Sequence, residues 1–284
     1  MTPLDYDYLR KLLKERSGLV LSADKQYLVE SRLLPLARKI GVSHLSDLVA
    51  KLKAPGSERL IVDVVEAMTT NESFFYRDKI PFDHLREFMI PSLLKARATQ
   101  RRIRIWCAAA STGQEPYSIS MILKEMAAQV AGWRIEIIAT DLSNEVLEKA
   151  RAGLYSQFEV QRGLPIQMLM KYFTQAGETW QISPEIKAMV QYRPLNLLSD
   201  FGHLGSFDII FCRNVLIYFD RPTKTDVLDR LARQMPEGAY LVLGAAETVM
   251  GLTEAFRPVP DRRSLYARSA GTVSPRLAAV AGSR

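Results

Sequence analysis

The feature that most constrains this chain is a change of grammar near Arg101. From there short apolar runs alternate with helical stretches. Ile103–Cys107 leads to a helix over Glu115–Val130, Arg134–Thr140 to a helix over Asn144–Ala152, and Phe207–Cys212 to a helix over Pro222–Met235, before Tyr240–Gly244. Strands that alternate with helices of this length call for crossover connections and a parallel sheet, so an α/β, Rossmann-like domain is expected. Ser264–Arg268, after Pro258 and Pro260, reads as a last antiparallel strand. The stretch from Gly153 to Val190 breaks the rhythm and reads as a helix plus a small antiparallel hairpin inserted in the domain.

Residues 1–78 carry helical periodicity only. A first helix starts at Thr2-Pro3 and ends near Gly18, a second runs from Ser22 to Ile40, a third passes through Leu45–Leu52, and a fourth runs from Ser57 to Met68. The expected organisation is an all-α N-terminal domain over 1–78 and a linker helix over 79–100. An α/β domain follows over 101–268, with its small β subdomain at about 154–190, and then a tail over 269–284 without ordered structure. On the second helix Lys25, Arg32 and Lys39 are seven residues apart. Such residues drift by only about 20° per step and form one stripe, with Arg38 beside it.

With 48% hydrophobic and 24% charged residues, the 284-residue chain is not a mainly disordered one. Its longest apolar runs are too short to cross a bilayer, and the N-terminus has neither the basic start nor the apolar stretch of a secretory signal. The balance of 38 basic against 31 acidic residues gives +7 and favours an acidic partner. Cys107 and Cys212 end apolar strands and are expected as buried free thiols of a reducing cytoplasm. The three histidines lack neighbours at ligand spacing, so no metal site is expected.

Ligands of open α/β sheets lie at the carboxyl ends of the strands. Here the first strand runs into the small-residue loop Ala108-Ala-Ala-Ser-Thr-Gly113, and the second ends in Ala139-Thr-Asp141, where an acid can accept ribose hydroxyls. There is no GxGxxG and no GxxxxGK[ST], which a pyrophosphate or nucleotide phosphate would ordinarily require. A nucleoside ligand without phosphates fits better, S-adenosylmethionine (SAM) above all.

Four stretches carry a resemblance. Met68-Thr-Thr-Asn-Glu-Ser-Phe-Phe-Tyr-Arg77 resembles MTxNxTxFFR, and Cys107-Ala-Ala-Ala-Ser-Thr-Gly-Gln-Glu-Pro-Tyr-Ser118 resembles AASTGEEPYS. Ala139-Thr-Asp141 matches ATD, and Phe211-Cys-Arg-Asn-Val-Leu-Ile-Tyr-Phe219 is similar to FCRNVxIYF. Together, in order and over about residues 5–268, they resemble the chemotaxis-receptor glutamate O-methyltransferases, the CheR family. The departures are Ser73 for threonine, Tyr76 for phenylalanine and Gln114 for glutamate.

The resemblance implies a helical receptor-recognition domain followed by a SAM-dependent methyltransferase domain of the Rossmann-like class with an inserted β subdomain. It implies methyl transfer from SAM to glutamate carboxylates of chemoreceptors, giving glutamate methyl esters and S-adenosylhomocysteine for sensory adaptation, without a metal. Residue by residue, Asn71, Ser73, Arg77, Ala109, Glu115, Asp141, Asn196, Leu197, Asn214 and Val215 are cofactor positions, and Arg77 and Tyr218 are the catalytic candidates. Lys25, Arg32, Arg38 and Lys39 become the candidate surface for an acidic receptor helix, and the inserted hairpin offers an edge for a receptor tail. The implied setting is a bacterial cytoplasmic enzyme recruited to membrane receptor arrays without inserting into the membrane. No nucleic-acid partner is expected, and the chain is read as a monomer for want of an oligomerisation heptad. The competing readings are a methyltransferase for another acidic protein, a nucleic acid or a small carboxylate, and a SAM-binding sensor or adaptor. An ionised glutamate is already a nucleophile at neutral pH, so the chemistry requires no general base and the motifs contain no histidine.

Overall fold

The computed structural model describes residues 1–269. Four helices come first: α1 (Pro3–Ser17), α2 (Gln26–Lys39), α3 (Leu45–Lys53) and α4 (Glu58–Met68). The sequence signals set their ends. Thr2 and Asp5 form a reciprocal capping box at the start of α1, and Gly18 ends it in the left-handed region. Leu9, Leu13, Val29, Leu33, Leu48, Val49 and Val64 close the bundle's own core. The second helix begins later than the sequence suggests. Ser22 opens a 3-10 turn over Ala23–Lys25, so Lys25 lies off the helix proper and out of line with the expected stripe.

Helices α5 (Ile80–His84) and α6 (Ile90–Ala96), joined by a π-type turn over Leu85–Met89, lead into the α/β domain. There follow β1 (Arg102–Ala108), α7 (Gln114–Glu125), β2 (Arg134–Asp141) and α8 (Asn144–Ala152). The insert comprises β3 (Leu154–Ser156), α9 (Gln157–Gln161), α10 (Ile166–Tyr172), β4 (Phe173–Ala176), β5 (Thr179–Ile182) and α11 (Pro184–Lys187). The chain then returns through β6 (Val190–Pro194), β7 (Ile209–Cys212), α12 (Arg221–Arg233), β8 (Tyr240–Leu243), β9 (Phe256–Pro258) and β10 (Leu265–Arg268).

The main sheet has the order β6-β2-β1-β7-β8-β10-β9. Its first five strands are parallel, and β10 and β9 add antiparallel, as expected for Ser264–Arg268. One face packs on α5–α7 and the insert through Ile105, Ile119, Phe211 and Tyr155, and the other packs on α12 through Trp106, Ile210, Val227 and Leu231. The insert is larger than a helix and a hairpin: β3 pairs with β5 on the side away from β4, giving three antiparallel strands. Val190 already belongs to β6 of the main sheet, so the insert closes just before it. The helix expected to reach Val130 stops at Glu125, with turns leading to Trp133. The tail expected without ordered structure lies, from residue 270, outside the described residues.

Candidate active site

The carboxyl ends of β1, β2 and β7 open onto a cavity. Asn71, Ser73, Arg77, Ala109, Glu115, Asp141, Asn196, Leu197, Asn214, Val215 and Tyr218 all border it. Residues from the helical domain complete the cavity: Ser17 at the end of α1, Leu19 just after it, and Met68, Thr69 and Thr70 at the end of α4. No sequence motif marked Ser17 or Leu19. Their place follows from two long-range bonds, Val20 N–H to the Tyr218 carbonyl at 2.9 Å and Asn196 Nδ2 to the Arg16 carbonyl at 2.7 Å.

The sheet side of the cavity is built from backbone in unusual conformations. Ala109 (φ 61°), Ser111 (φ 50°) and Asn214 (φ 58°) have positive φ, and so do Tyr76 within the first motif and Asp78 and Lys79 just beyond it. Non-glycine residues hold this region only where their surroundings over-determine it, and such residues gather at functional sites. The surroundings here are specific. Asp141 accepts the Ser111 N–H at 2.8 Å on one oxygen and the Ser143 N–H at 3.0 Å on the other. Ser111 Oγ donates to the Asn71 carbonyl at 2.7 Å, and the Tyr76 N–H donates to Ser118 Oγ at 3.0 Å, fastening the first motif to the β1–α7 loop and to α7 itself. Gly113 (φ 94°) starts α7 where a Cβ would stand 2.7 Å from the Tyr192 hydroxyl.

Beneath this surface lies an ion pair between Glu115 and Arg213. Arg213 Nη1 donates to Glu115 Oε2 at 2.8 Å, and Nη2 donates to the Arg77 carbonyl and the Asp78 carboxylate, each at 2.8 Å. Burial raises the Glu115 carboxyl above its ordinary range, and the Arg213 charge opposes that. Burial likewise raises Asp141, against the pull of the backbone N–H groups of Ser143 and Ser111. Arg213 borders the cavity, and the sequence reading passed over it. Its signal was a charged residue placed directly after a fully buried strand end. Arg77 itself is half-buried, with Nη1 donating to the Glu72 carbonyl at 2.9 Å and its guanidinium 5.4 Å from the Phe74 ring centre. Arg162 of the insert covers the same ring at 4.3 Å and pairs with Glu72 at 2.6 Å.

These groups fit SAM on the chemistry of the donors. Arg213 Nε–H is buried without a partner among the described residues and borders the cavity, a donor suited to a carboxylate. Glu115 has a second oxygen for an ammonium. Asp141, with two backbone bonds accepted, keeps lone pairs for ribose hydroxyls. The Asn196 side chain is otherwise committed, its amide nitrogen to Arg16 and its oxygen to the Leu198 N–H at 2.9 Å.

The candidate receptor-binding cations are spread out. Arg38 and Lys39 are exposed. Lys25 sits on the 3-10 turn, 3.7 Å from Asp24. Arg32 turns inward, with Nη1 donating to the Met68 and Thr69 carbonyls at 2.6 and 3.1 Å and Nη2 to Thr70 Oγ1 at 2.9 Å. It closes the C-terminus of α4, where carbonyls are otherwise left unsatisfied, and so holds the strand of chain that enters the first motif. Both cysteines are free and buried, with their thiols pushed well above the ordinary range by burial.

Comparison with known proteins agrees with this architecture. Residues 4–69 match the all-alpha domain of CheR methyltransferases, and residues 71–265 match the CheR methyltransferase SAM-binding domain. Chemotaxis protein methyltransferase 1 of Pseudomonas aeruginosa is 41% identical over 261 residues, covering 90% of this chain and 94% of that protein. The chemotaxis protein methyltransferase of Vibrio parahaemolyticus is 41% identical over 258 residues, covering 90% and 93%. Among solved structures, the plantazolicin methyltransferase BpumL in complex with SAH is a looser likeness, at 10% identity and a TM-score of 0.32, over 84% of this chain and 61% of that one. Two family domains in sequence, filling nearly the whole described chain, make it a member of the CheR methyltransferase family, a SAM-dependent methyltransferase.

Proposed function

We propose that this enzyme methylates glutamate side chains of chemoreceptors, giving glutamate methyl esters and S-adenosylhomocysteine for sensory adaptation. The observation that carries the reading is the convergence on one cavity of the two candidate catalytic residues, Arg77 and Tyr218, with the ten cofactor positions, Arg77 among them. The names of the 41% identical relatives support a chemotaxis substrate.

Bound SAM supplies an electrophilic methyl group on a sulfonium. Glu115 and Arg213 hold the ammonium and carboxylate of its amino-acid end, and Asp141 holds the ribose. The substrate carboxylate is ionised at neutral pH and acts without a general base. Its oxygen forms the new bond to the methyl carbon as the carbon–sulfur bond breaks, the electron pair passes to sulfur, and no proton moves. Catalysis therefore rests on alignment and on excluding water. Arg77 orients the carboxylate from its place over Phe74. Tyr218 presents its ring or hydroxyl at the cavity mouth. Strong neutralisation of the substrate carboxylate would slow a reaction that consumes its charge, so an orienting arginine already shared with the Glu72 carbonyl suits the task.

Val20, whose N–H donates to the Tyr218 carbonyl, and Ile217, next to Tyr218 in the chain, leave 44% and 45% of their surface exposed. Exposed Arg38 and Lys39 on α2 supply a positive field for an acidic receptor helix, and the three-stranded insert offers edges for a receptor tail. The proposed enzyme works as a monomer in the cytoplasm, at membrane receptor arrays. The test is methyl-labelled SAM with chemoreceptor-bearing membranes. Label on a receptor band, released as methanol by mild base, is the expected result. Base-stable label, or label on nucleic acid, would overturn the reading.

A further inference from the structure

We propose that Glu247 is a positioning residue for methyl transfer: its buried carboxylate sets the backbone of the turn that carries Asn214, Val215 and Tyr218 into the cavity. Glu247 Oε2 accepts the N–H groups of Gly244 at 2.7 Å and Asn214 at 2.8 Å, and Oε1 accepts those of Val215 at 3.0 Å and Ile217 at 3.2 Å. Four backbone donors occupy both oxygens, and no lysine, arginine or histidine pairs with the carboxylate among the described residues. The turn is thus held by an anion in a ring of amides, an arrangement in which charge and shape are matched together. Asn214 stands at φ 58°, a conformation that needs such outside support. The partner strand approaches closely enough for this only through Gly244, where a Cβ would stand 2.8 Å from Glu247 Oε2 and 2.9 Å from the Asn214 nitrogen.

A carboxylate that merely closed the end of β8 would need the Gly244 bond alone. Three of the four bonds instead reach a segment about thirty residues earlier, the one bearing the candidate catalytic Tyr218. Glutamine cannot replace the anion, because its amide nitrogen would face two N–H donors. Aspartate keeps the charge but is one methylene short of the ring of amides.

The proposal rests on the reading that Tyr218 acts at the transferred methyl group, and wild-type turnover on receptor membranes tests that reading by itself. The inference is tested by a double-mutant cycle with Glu247→Gln and Tyr218→Phe, reading kcat, KM for SAM and calorimetric affinity for S-adenosylhomocysteine. Glu247→Gln is expected to lower kcat by about tenfold or more, with product affinity changed only a few-fold, and Tyr218→Phe is then expected to cost much less in that background than in wild type. Glu247→Asp should restore part of kcat. If Glu247→Gln fails to fold, the same cycle is run with Glu247→Asp, whose kcat is expected to lie between. Multiplicative effects of the two substitutions, or a melting temperature lowered while kcat holds, would overturn the proposal.

Discussion

The two walls of the cavity are built by different means. On the sheet side, Ala109, Ser111 and Asn214 sit in left-handed backbone, held by buried carboxylates, with Asp141 beneath the first loop and Glu247 beneath the turn after β7. On the helical side, Met68–Thr70 and Ser17–Leu19 are held by part-exposed side-chain bonds, three from Arg32 to residues 68–70 within the helical domain and one from Asn196 across to the end of α1. Buried, multiply bonded carboxylates leave few alternative arrangements, whereas part-exposed bonds from long side chains open at lower cost. The difference teaches a division of labour, in which a rigid floor fixes the reacting atoms and a looser wall admits cofactor and receptor.

Breaking the floor should have the largest effect. Arg213→Ala leaves Glu115 buried without its counter-charge and unties Arg77 and Asp78, so a loss of about 3–5 kcal/mol is expected in urea unfolding, with SAM binding abolished. A variant that unfolds like wild type would place the pair outside the floor. Breaking the wall should cost less. Arg32→Ala removes three bonds to residues 68–70, and a several-fold rise in KM for SAM is expected, with the unfolding midpoint lowered by about 1–2 kcal/mol equivalent. Equal damage from Arg32→Ala and Arg213→Ala would erase the contrast between the walls.

Smaller still is the expected effect of the outer face. Arg38→Glu with Lys39→Glu should raise KM for receptor at low salt while SAM affinity stays at the wild-type value, and added salt should shrink the difference. Arg32 does not serve in that test, since reversing it would also loosen the cofactor segment.

The smallest effect expected is at the seam between the domains. Lys14 pairs with Asp220, which also caps α12 through the Thr223 N–H, and these bonds bring the Asp220 carboxyl down to about 2. A carboxyl depressed in the folded state adds stability above its ordinary range and loses it as pH falls through the depressed value. The stability gap between wild type and Asp220→Asn should therefore hold at neutral pH and narrow from about pH 4 downward. Urea midpoints over that range provide the measurement, and a gap that widens in acid would refute it.

The strands flanking the cavity were legible because β1, β2, β7 and β8 are near-continuous apolar runs, as buried parallel strands must be. Besides β3 of the insert, two strands of the main sheet were missed. β6 reads Val-Gln-Tyr-Arg-Pro, half polar, because it is a sheet edge, and β9 has three residues and a proline. The residues that border the cavity were legible wherever a motif placed them on one strand end. Arg213 and Glu247 were not, because their partners stand 98 and about thirty residues away in the chain, and only the folded sheet brings them together. Lys25 shows the opposite error: a seven-residue spacing implies a stripe only if the helix has already begun, and Ser22 delays it by a turn.

The central claim concerns which atom receives the methyl group. Its most direct measurement is peptide mapping by mass spectrometry of a purified receptor cytoplasmic domain after incubation with this enzyme and SAM. The account predicts peptides one methylene heavier, with the added mass on glutamate side chains, removed by mild base and absent with Arg77→Ala. Mass placed on lysine, arginine or a chain terminus, or esters that persist with Arg77→Ala, would contradict it.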